Sequence, residues 1–246
     1  MRKIVLVPKA EDRVVIVVKL KGKVERRGLC GDVFLVGTPR GPTVADISVD
    51  TSVRKRELTI NAAVAGLEPN GHYSFRTRII KGGSTVKEFA SLPFQGSDLK
   101  DGRFAFTEKW MPDKLWDINT PQNTFDLQVS LVDADVHVLD TGWTQRFGYR
   151  EFWIDGRDFY LNGTRIFLSA VPLDNAQVGA ALATYDAARE SLERLKSFGI
   201  NYVYTHNYGC EPGSHPSFTE VLRAADDAGM LDQPEEWDDP YRFFRW

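Results

Sequence analysis

Four polar residues stand where two short apolar runs end. Asp174 and Asn175 follow Ile166 to Val171, and His206 and Asn207 follow Ile200 to Thr205. Carboxylate, amide and imidazole groups accept from and donate to hydroxyls, so these four are the candidate ligand-facing residues. Each is equally well explained as a helix cap or as a partner for loop backbone. His206, Cys210, Glu211 and His215 form a second group. Their side chains are all zinc-ligand types, but the spacing fits no zinc pattern, and a binding loop after a strand is the better reading. No metal and no cofactor is assigned. Glu235 and Glu236 lie near a predicted strand end. Neighbours in an extended chain point to opposite faces, so these two cannot converge as proton donor and nucleophile. They read as a solvated charged turn, and no catalytic residue is assigned.

The elements that must hold these groups meet at Arg146 to Val171, RFGYREFWIDGRDFYLNGTRIFLSAV. Asp155-Gly156 and Asn162-Gly163 are hairpin signals, because both central residues of a type I′ turn need positive φ. Asn162-Gly163-Thr164 also spells a glycosylation sequon, which the hairpin accounts for without any sugar. Before this seam the chain is β-rich. Ala45 to Val49, Glu57 to Ala65, Tyr73 to Ile79, Arg103 to Glu108 and Thr124 to Val132 alternate with period two, with Gly-containing turns at Glu68 to Gly71, Lys81 to Gly83 and Asp101-Gly102. That spacing over residues 44–150 predicts an immunoglobulin-like β-sandwich. Trp110 and Trp116 interrupt the pattern and read as core packing rather than a ligand platform.

After the seam the pattern changes to strand, helix, strand, helix, strand. Ile166 to Val171 reads as a strand buried on both faces. Thr184 caps a helix carrying Tyr185, Ala188, Leu192 and Leu195 on one face, with Gly199 as its stop. Ile200 to Thr205 is the next strand. Ser217 and Glu220 form a capping box for a second helix, Gly229 stops it, and Met230-Leu231 opens a third strand. This is a parallel α/β arrangement, either doubly wound or a (β/α)8 barrel. No Gly-rich loop follows the first strand, which disfavours a dinucleotide site. A barrel needs ~250 residues, so the 96 positions after residue 150 of this 246-residue chain hold two or three of its eight units.

Bulk composition sets the limits. The chain is 42% apolar, 26% charged and 12% aromatic with a net charge of -3, which is globular rather than disordered. No basic stripe suggests nucleic acid, and no apolar run reaches the ~20 residues of a membrane span. The N-terminal apolar run is too short for a signal-peptide core, and the two distant cysteines indicate no redox compartment. Residues 1–43 contain two strand-like runs, Val14 to Leu20 and Asp32 to Val36, too few for a core of their own.

The seam resembles the junction in glycoside hydrolase family 2, the β-galactosidase, β-glucuronidase and β-mannosidase group. Phe147, Gly148, Tyr149 and Arg150 match the motif that ends the sandwich there, and Leu161, Asn162 and Gly163 match the hairpin turn that follows. Leu195 to Val203, LKSFGINYV, resembles the first barrel helix and second barrel strand; Leu115-Trp116 with Thr120-Pro121 resembles the sandwich's tryptophan and proline stretch; Arg27 to Val33 resembles the last strand of the N-terminal jelly roll. The resemblance implies a multidomain β plus α/β chain. It would consist of a jelly-roll remnant at 1–43, an immunoglobulin-like sandwich at 44–150, and the hairpin with the first units of an incomplete TIM barrel at 151–246. It also implies retaining hydrolysis of a β-glycoside by two glutamates ~5 Å apart, found after the fourth and seventh barrel strands, beyond this chain. The carbohydrate is then the partner of the complete enzyme, and this chain alone is expected to be inactive. The first-strand loop, Pro172 to Ala176, lacks the family's asparagine and histidines in their usual places, and Tyr204 stands where an arginine is usual. An open parallel edge is expected to favour self-association. Two alternatives remain: a non-catalytic carbohydrate-binding or interaction module built on the sandwich, and a disrupted reading frame, since Asp232 to Trp237 reads poorly as a barrel strand.

Overall fold

The computed structural model describes residues 41–174, 184–206 and 218–234. All of them belong to one compact unit, Leu35–Trp246. The proposed jelly-roll remnant, except its last three residues, lies outside the described residues.

The first part is a β-sandwich. One sheet has the order β1-β2-β6, formed by β1 (Thr43–Ser52), β2 (Glu57–Ala65) and β6 (Arg103–Glu108). The facing sheet has the order β4-β3-β7-β8, formed by β4 (Ser84–Ala90), β3 (His72–Lys81), β7 (Thr124–Asp133) and β8 (Val138–Thr141), with β5 (Phe94–Gln95) on β3 and β9 (Gln145–Gly148) on β7. All pairings are antiparallel. The chain therefore changes sheet between β2 and β3, between β5 and β6, and between β6 and β7.

Alternation along three strands builds the core. Leu58, Ile60, Ala62 and Val64 of β2 face Tyr73, Phe75 and Ile79 of β3 and Phe125, Leu127, Val129 and Leu131 of β7. Phe75 lies between Phe94 and Phe106, with ring centroids 5.3 and 5.5 Å away. Burying each such side chain contributes ~1.5–3 kcal/mol, so truncating a fully buried one such as Leu127 to alanine costs ~2–5 kcal/mol. Thr77 is the exception on this face. It is buried, and its hydroxyl has no hydrogen-bond partner among the described residues.

The seam forms a three-stranded antiparallel sheet of β10 (Phe152–Asp155), β11 (Asp158–Leu161) and β12 (Thr164–Ile166). Leu161 pairs with Thr164, and both Asn162 (φ 54°) and Gly163 (φ 91°) have positive φ, as a type I′ turn requires. The other turn is shifted by one residue from expectation. Asp155 pairs with Asp158, so Gly156-Arg157 is the central pair, and only Gly156 (φ 60°) is left-handed. That is the pattern of a type II′ turn with glycine first.

The last part is a parallel sheet of order β13-β14-β15, formed by β13 (Ala170–Asp174), β14 (Tyr202–His206) and β15 (Leu231–Pro234). Helix α1 (Tyr185–Ser197) precedes β14, and helix α2 (Phe218–Ala228) precedes β15. Thr184 caps α1 by accepting from the Ala187 N–H, and Gly199 follows its end at φ 81°. Ala188 and Leu192 of α1 pack on Val221, Ala224, Ala225 and Ala228 of α2, with Val203 and Met230 beneath. Ser217, the expected cap of α2, lies outside the described residues. Two expectations are corrected here. Ile166 to Val171 is not one buried strand: it is split between β12 and β13, and Phe167 between them is 84% exposed. The helices cover only one face of β13, through Val171, while Ala170 and Pro172 on the other face are exposed. Asp232, Gln233 and Pro234, read from sequence as a poor strand, belong to β15.

Candidate functional site

Parallel strands end on the same side, so the C-terminal ends of β13, β14 and β15 form one edge. Their register is pinned at the opposite end by Asn201. Its Oδ1 accepts from Ser169 N at 2.9 Å and its Nδ2 donates to Phe167 O at 2.7 Å. Its own N–H donates to Ser169 O at 3.1 Å, and its carbonyl accepts from Leu231 N at 3.0 Å. One residue thus ties the starts of all three strands together. Five residues on from Ser169 and from Asn201, Asp174 and His206 are register partners. Neighbouring strands lie ~4.8 Å apart, so positions 174 and 206 stand side by side at the edge. One level below, Pro172, Tyr204 and Gln233 form a row across the three strands.

Of the four residues expected to face a ligand, the backbone therefore brings Asp174 and His206 together. Asn175 and Asn207 lie outside the described residues, as do Cys210, Glu211, His215, Glu235 and Glu236. Among the described residues no group of three or more His, Cys, Asp or Glu could hold a metal ion, and no helix is long and apolar enough to cross a membrane. A carboxylate position beside an imidazole position suits hydrogen bonding to neighbouring hydroxyls.

Trp116, a fully buried side chain, supports the other end, where α2 finishes and β15 begins. Its N–H donates to Tyr149 O at 3.0 Å, its carbonyl accepts from Asn162 Nδ2 at 2.7 Å, and its Nε1 donates to Asp226 O at 3.1 Å. It joins the sandwich, the hairpin turn and α2. The residues of the seam each have a partner there. A Cβ on Gly148 would stand 2.6 Å from Trp116 Cβ, so only glycine fits. Tyr149 enters the sandwich core, where its hydroxyl lies 2.9–3.0 Å from the carbonyl oxygens of Ser52, Glu57 and Trp110. Its single proton serves one of them at a time. Burial, with Glu151 and Glu57 nearby, raises its pKa far above the usual phenol value. The Arg150 guanidinium lies 4.1 Å from the centre of the Trp116 ring and donates to Asp226 Oδ1 at 2.7 Å. Glu151 accepts from Arg54 Nε at 2.7 Å and from Arg54 N at 2.9 Å. Burial works against its charge, but the Arg54 hydrogen bonds win and hold its carboxyl below the usual range.

Arg146 pairs with Asp227, which also accepts from Tyr185 Oη at 2.6 Å. Burial opposes the charge on Asp227, yet the bonds from Arg146 and Tyr185 outweigh it and lower its pKa. Lys196 of α1 donates to Ile118 O of the sandwich and, at 2.6 Å, to Ala228 O at the end of α2. Gly229 (φ 68°) leaves the room this needs: a Cβ there would collide with Ile118 O and stand 2.7 Å from Lys196 Nζ.

No protein-family model and no curated protein matches the sequence. Solved structures do match the fold. A GH2 β-galacturonidase from Eisenbergiella tayi bound to galacturonate superposes with a TM-score of 0.57 at 20% identity, over 80% of this chain and 34% of its own. The apo structure of Bacteroides uniformis β-glucuronidase 3 matches with 0.51 at 24% identity, over 80% and 23%. A β-glucuronidase from Ruminococcus gnavus in complex with D-glucuronic acid matches with 0.54 at 18% identity, over 79% and 30%. The chain has the fold of part of a family 2 glycoside hydrolase. It spans 23–34% of the length of these three chains.

Within that fold, the residues that sequence reading missed are Asn201 and the pairs Arg146–Asp227 and Arg150–Asp226. Asn201 falls inside the run Ile200 to Thr205, read as a strand, and nothing in that run marks its side chain as a tie between strand starts. The pairs are separated by 81 and 76 positions. One signal was there: two adjacent acids at the end of a predicted helix, with no base beside them.

Proposed function

We propose that this chain carries the immunoglobulin-like sandwich, residues 44–150, and the opening units of a (β/α)8 barrel, residues 151–246, of a retaining β-glycosidase. Residues 1–43 are then the end of a jelly-roll domain. The observation that carries this reading is the sequential order β13-β14-β15 with both helices in one cluster on one face of the sheet, immediately after the sandwich and hairpin. Doubly wound sheets place helices on both faces, whereas barrels place them all outside. Asp174 and His206, with Asn175 and Asn207, would contact the hydroxyls of a terminal β-linked sugar at the C-terminal edge, where barrel enzymes gather their sites.

Retaining hydrolysis needs two facing carboxyl groups, and the family's two glutamates have no counterpart in this sequence. The chain alone is therefore inactive. The similar structures include a β-galacturonidase and β-glucuronidases, so nitrophenyl β-glucuronide, β-galacturonide and β-galactoside are the substrates to assay. No turnover is expected from the purified chain, and turnover that survives removal of contaminants would overturn the assignment. Titration with glucuronate or galactose is expected to shift the amide resonances of Asp174 and His206. If both stay fixed at saturating sugar, the proposed contacts fail. The same reading includes association of copies through the outer edges of β13 and β15, which pair on one side only among the described residues. A monomer at high micromolar concentration in sedimentation would remove that part.

A further inference from the structure

Helix α2 ends on the wrong charge. The last turn of an α-helix presents unpaired carbonyls worth about half a negative charge, which cations stabilise and anions do not. Helix α1 follows this rule with Arg194 and Lys196 in its last turn. Helix α2 has no base in its last turn and instead carries Asp226 and Asp227 there. By itself it would fray at that end.

The missing cations come from elsewhere. Arg146 of β9 pairs with Asp227, and Arg150, just past β9, pairs with Asp226 at 2.7 Å. Lys196 donates to Ala228 O at 2.6 Å, on the terminal carbonyls themselves. The Arg150 guanidinium lies 4.1 Å from the centre of the Trp116 ring, and Trp116 Nε1 donates to Asp226 O. Neither arginine is loosely placed: Arg146 also reaches Thr124 Oγ1 at 3.3 Å, and the Arg150 backbone N–H donates to Thr51 Oγ1 at 3.1 Å. Both cations belong to the sandwich, and both acids belong to the helix.

We propose that Arg146 and Arg150 are positioning residues through which the sandwich completes the C-terminal end of α2, so that α2 and β15 hold their places only while docked on it. The reading goes beyond the proposed function and does not depend on it. Its consequence reaches the candidate site. Leu231, the first residue of β15, donates to Asn201 O three residues after α2 ends. If the last turn of α2 frays, β15 leaves β14, and the edge holding Asp174 and His206 loses a strand.

The test uses the full chain and hydrogen exchange read by segment. In R146M/R150M, amides of residues 221–231 should exchange at least tenfold faster, while those of β2, β3 and β7 keep their native rates. Adding D226N and D227N should bring the 221–231 rates back to within threefold of native, because the acids that needed the cations are gone. A purely packing role for the arginines would show no such rescue. Native protection of α2 in R146M/R150M, equal loss across the sandwich, or failure of the rescue would each overturn the proposal. If R146M/R150M does not fold, R146M is compared with R146M/D227N and judged by the same outcomes.

Discussion

Replacing Asn162 separates two tasks of one residue. Its backbone is left-handed at φ 54°, and its side chain accepts from Glu151 N at 2.9 Å and donates to Trp116 O at 2.7 Å. Asn162→Gly keeps the backbone and deletes the amide. Two hydrogen bonds at ~0.5–1.5 kcal/mol each, one leaving a half-buried carbonyl without its donor, make that about 2 kcal/mol. Asn162→Ala loses the same bonds and adds the left-handed penalty of an L-residue with a Cβ, ~1 kcal/mol, for about 3 kcal/mol in all. For a domain of this size each kcal/mol lowers Tm by ~2–4 °C, so falls of ~4–8 °C and ~6–12 °C are expected. Thermal unfolding followed by circular dichroism would measure them. The ordering is the sensitive part. If alanine is no worse than glycine, the conformational argument fails, and if glycine costs nothing, the amide bonds carry no weight.

Other outcomes follow from single features. Thr77→Val removes a buried hydroxyl that has no partner among the described residues, and should raise stability by ~1 kcal/mol in urea unfolding; a loss would mean the hydroxyl is satisfied. Gly148→Ala forces a methyl into Trp116 and should cost ~1–3 kcal/mol, with a changed near-UV tryptophan signal; an unperturbed spectrum would contradict the packing. Asn201→Ala should leave the sandwich amides protected and expose those of residues 169–172 and 202–206, because the register pin is gone; unchanged exchange there would show that the strands align without it. The carboxyls of Glu151 and Asp227 titrate lower in the folded chain than their ordinary values of 4.5 and 3.8. As pH falls, the unfolded chain takes up these protons first. The stability they confer is therefore full above the ordinary carboxylate range and is lost as pH drops below it through the folded values. Glu151→Gln with Asp227→Asn should flatten the acid limb of the stability curve, and an unaltered limb would rule these two groups out.

The strands readable in sequence were those with one wet face and one dry face. Glu57–Ala65 and Arg103–Glu108 ended where their alternation ended. Ser84–Ala90 gave no such signal, because its two large apolar residues fall on opposite faces: Val86 is exposed and Phe89 packs against the core. Ile166 to Val171 misled for the opposite reason: its apolar run suggested double burial, yet Phe167 projects into solvent. The hairpin at Asn162-Gly163 was legible because left-handed backbone at two adjacent residues leaves few residue choices. The Asp155-Gly156 turn slipped because one glycine permits two registers. At the candidate site, sequence put Asp174 and His206 just past two strand ends; in the fold they are the last residues of β13 and β14. Their side-by-side alignment came from Asn201, whose role depends on three segments that sequence order keeps apart.

Tyr149 has a bearing on how the chain is made. Among the described residues it is the last in sequence to enter the sandwich core, yet its hydroxyl is shared among carbonyls of residues 52, 57 and 110, synthesised long before it. A growing chain on the ribosome can pair its early strands but has no donor to place among these three carbonyls until this ring arrives. Arg150 and the hairpin emerge next, so the surface that receives the helices is finished shortly before they are translated. The order of synthesis thus matches the order in which each part needs its neighbour.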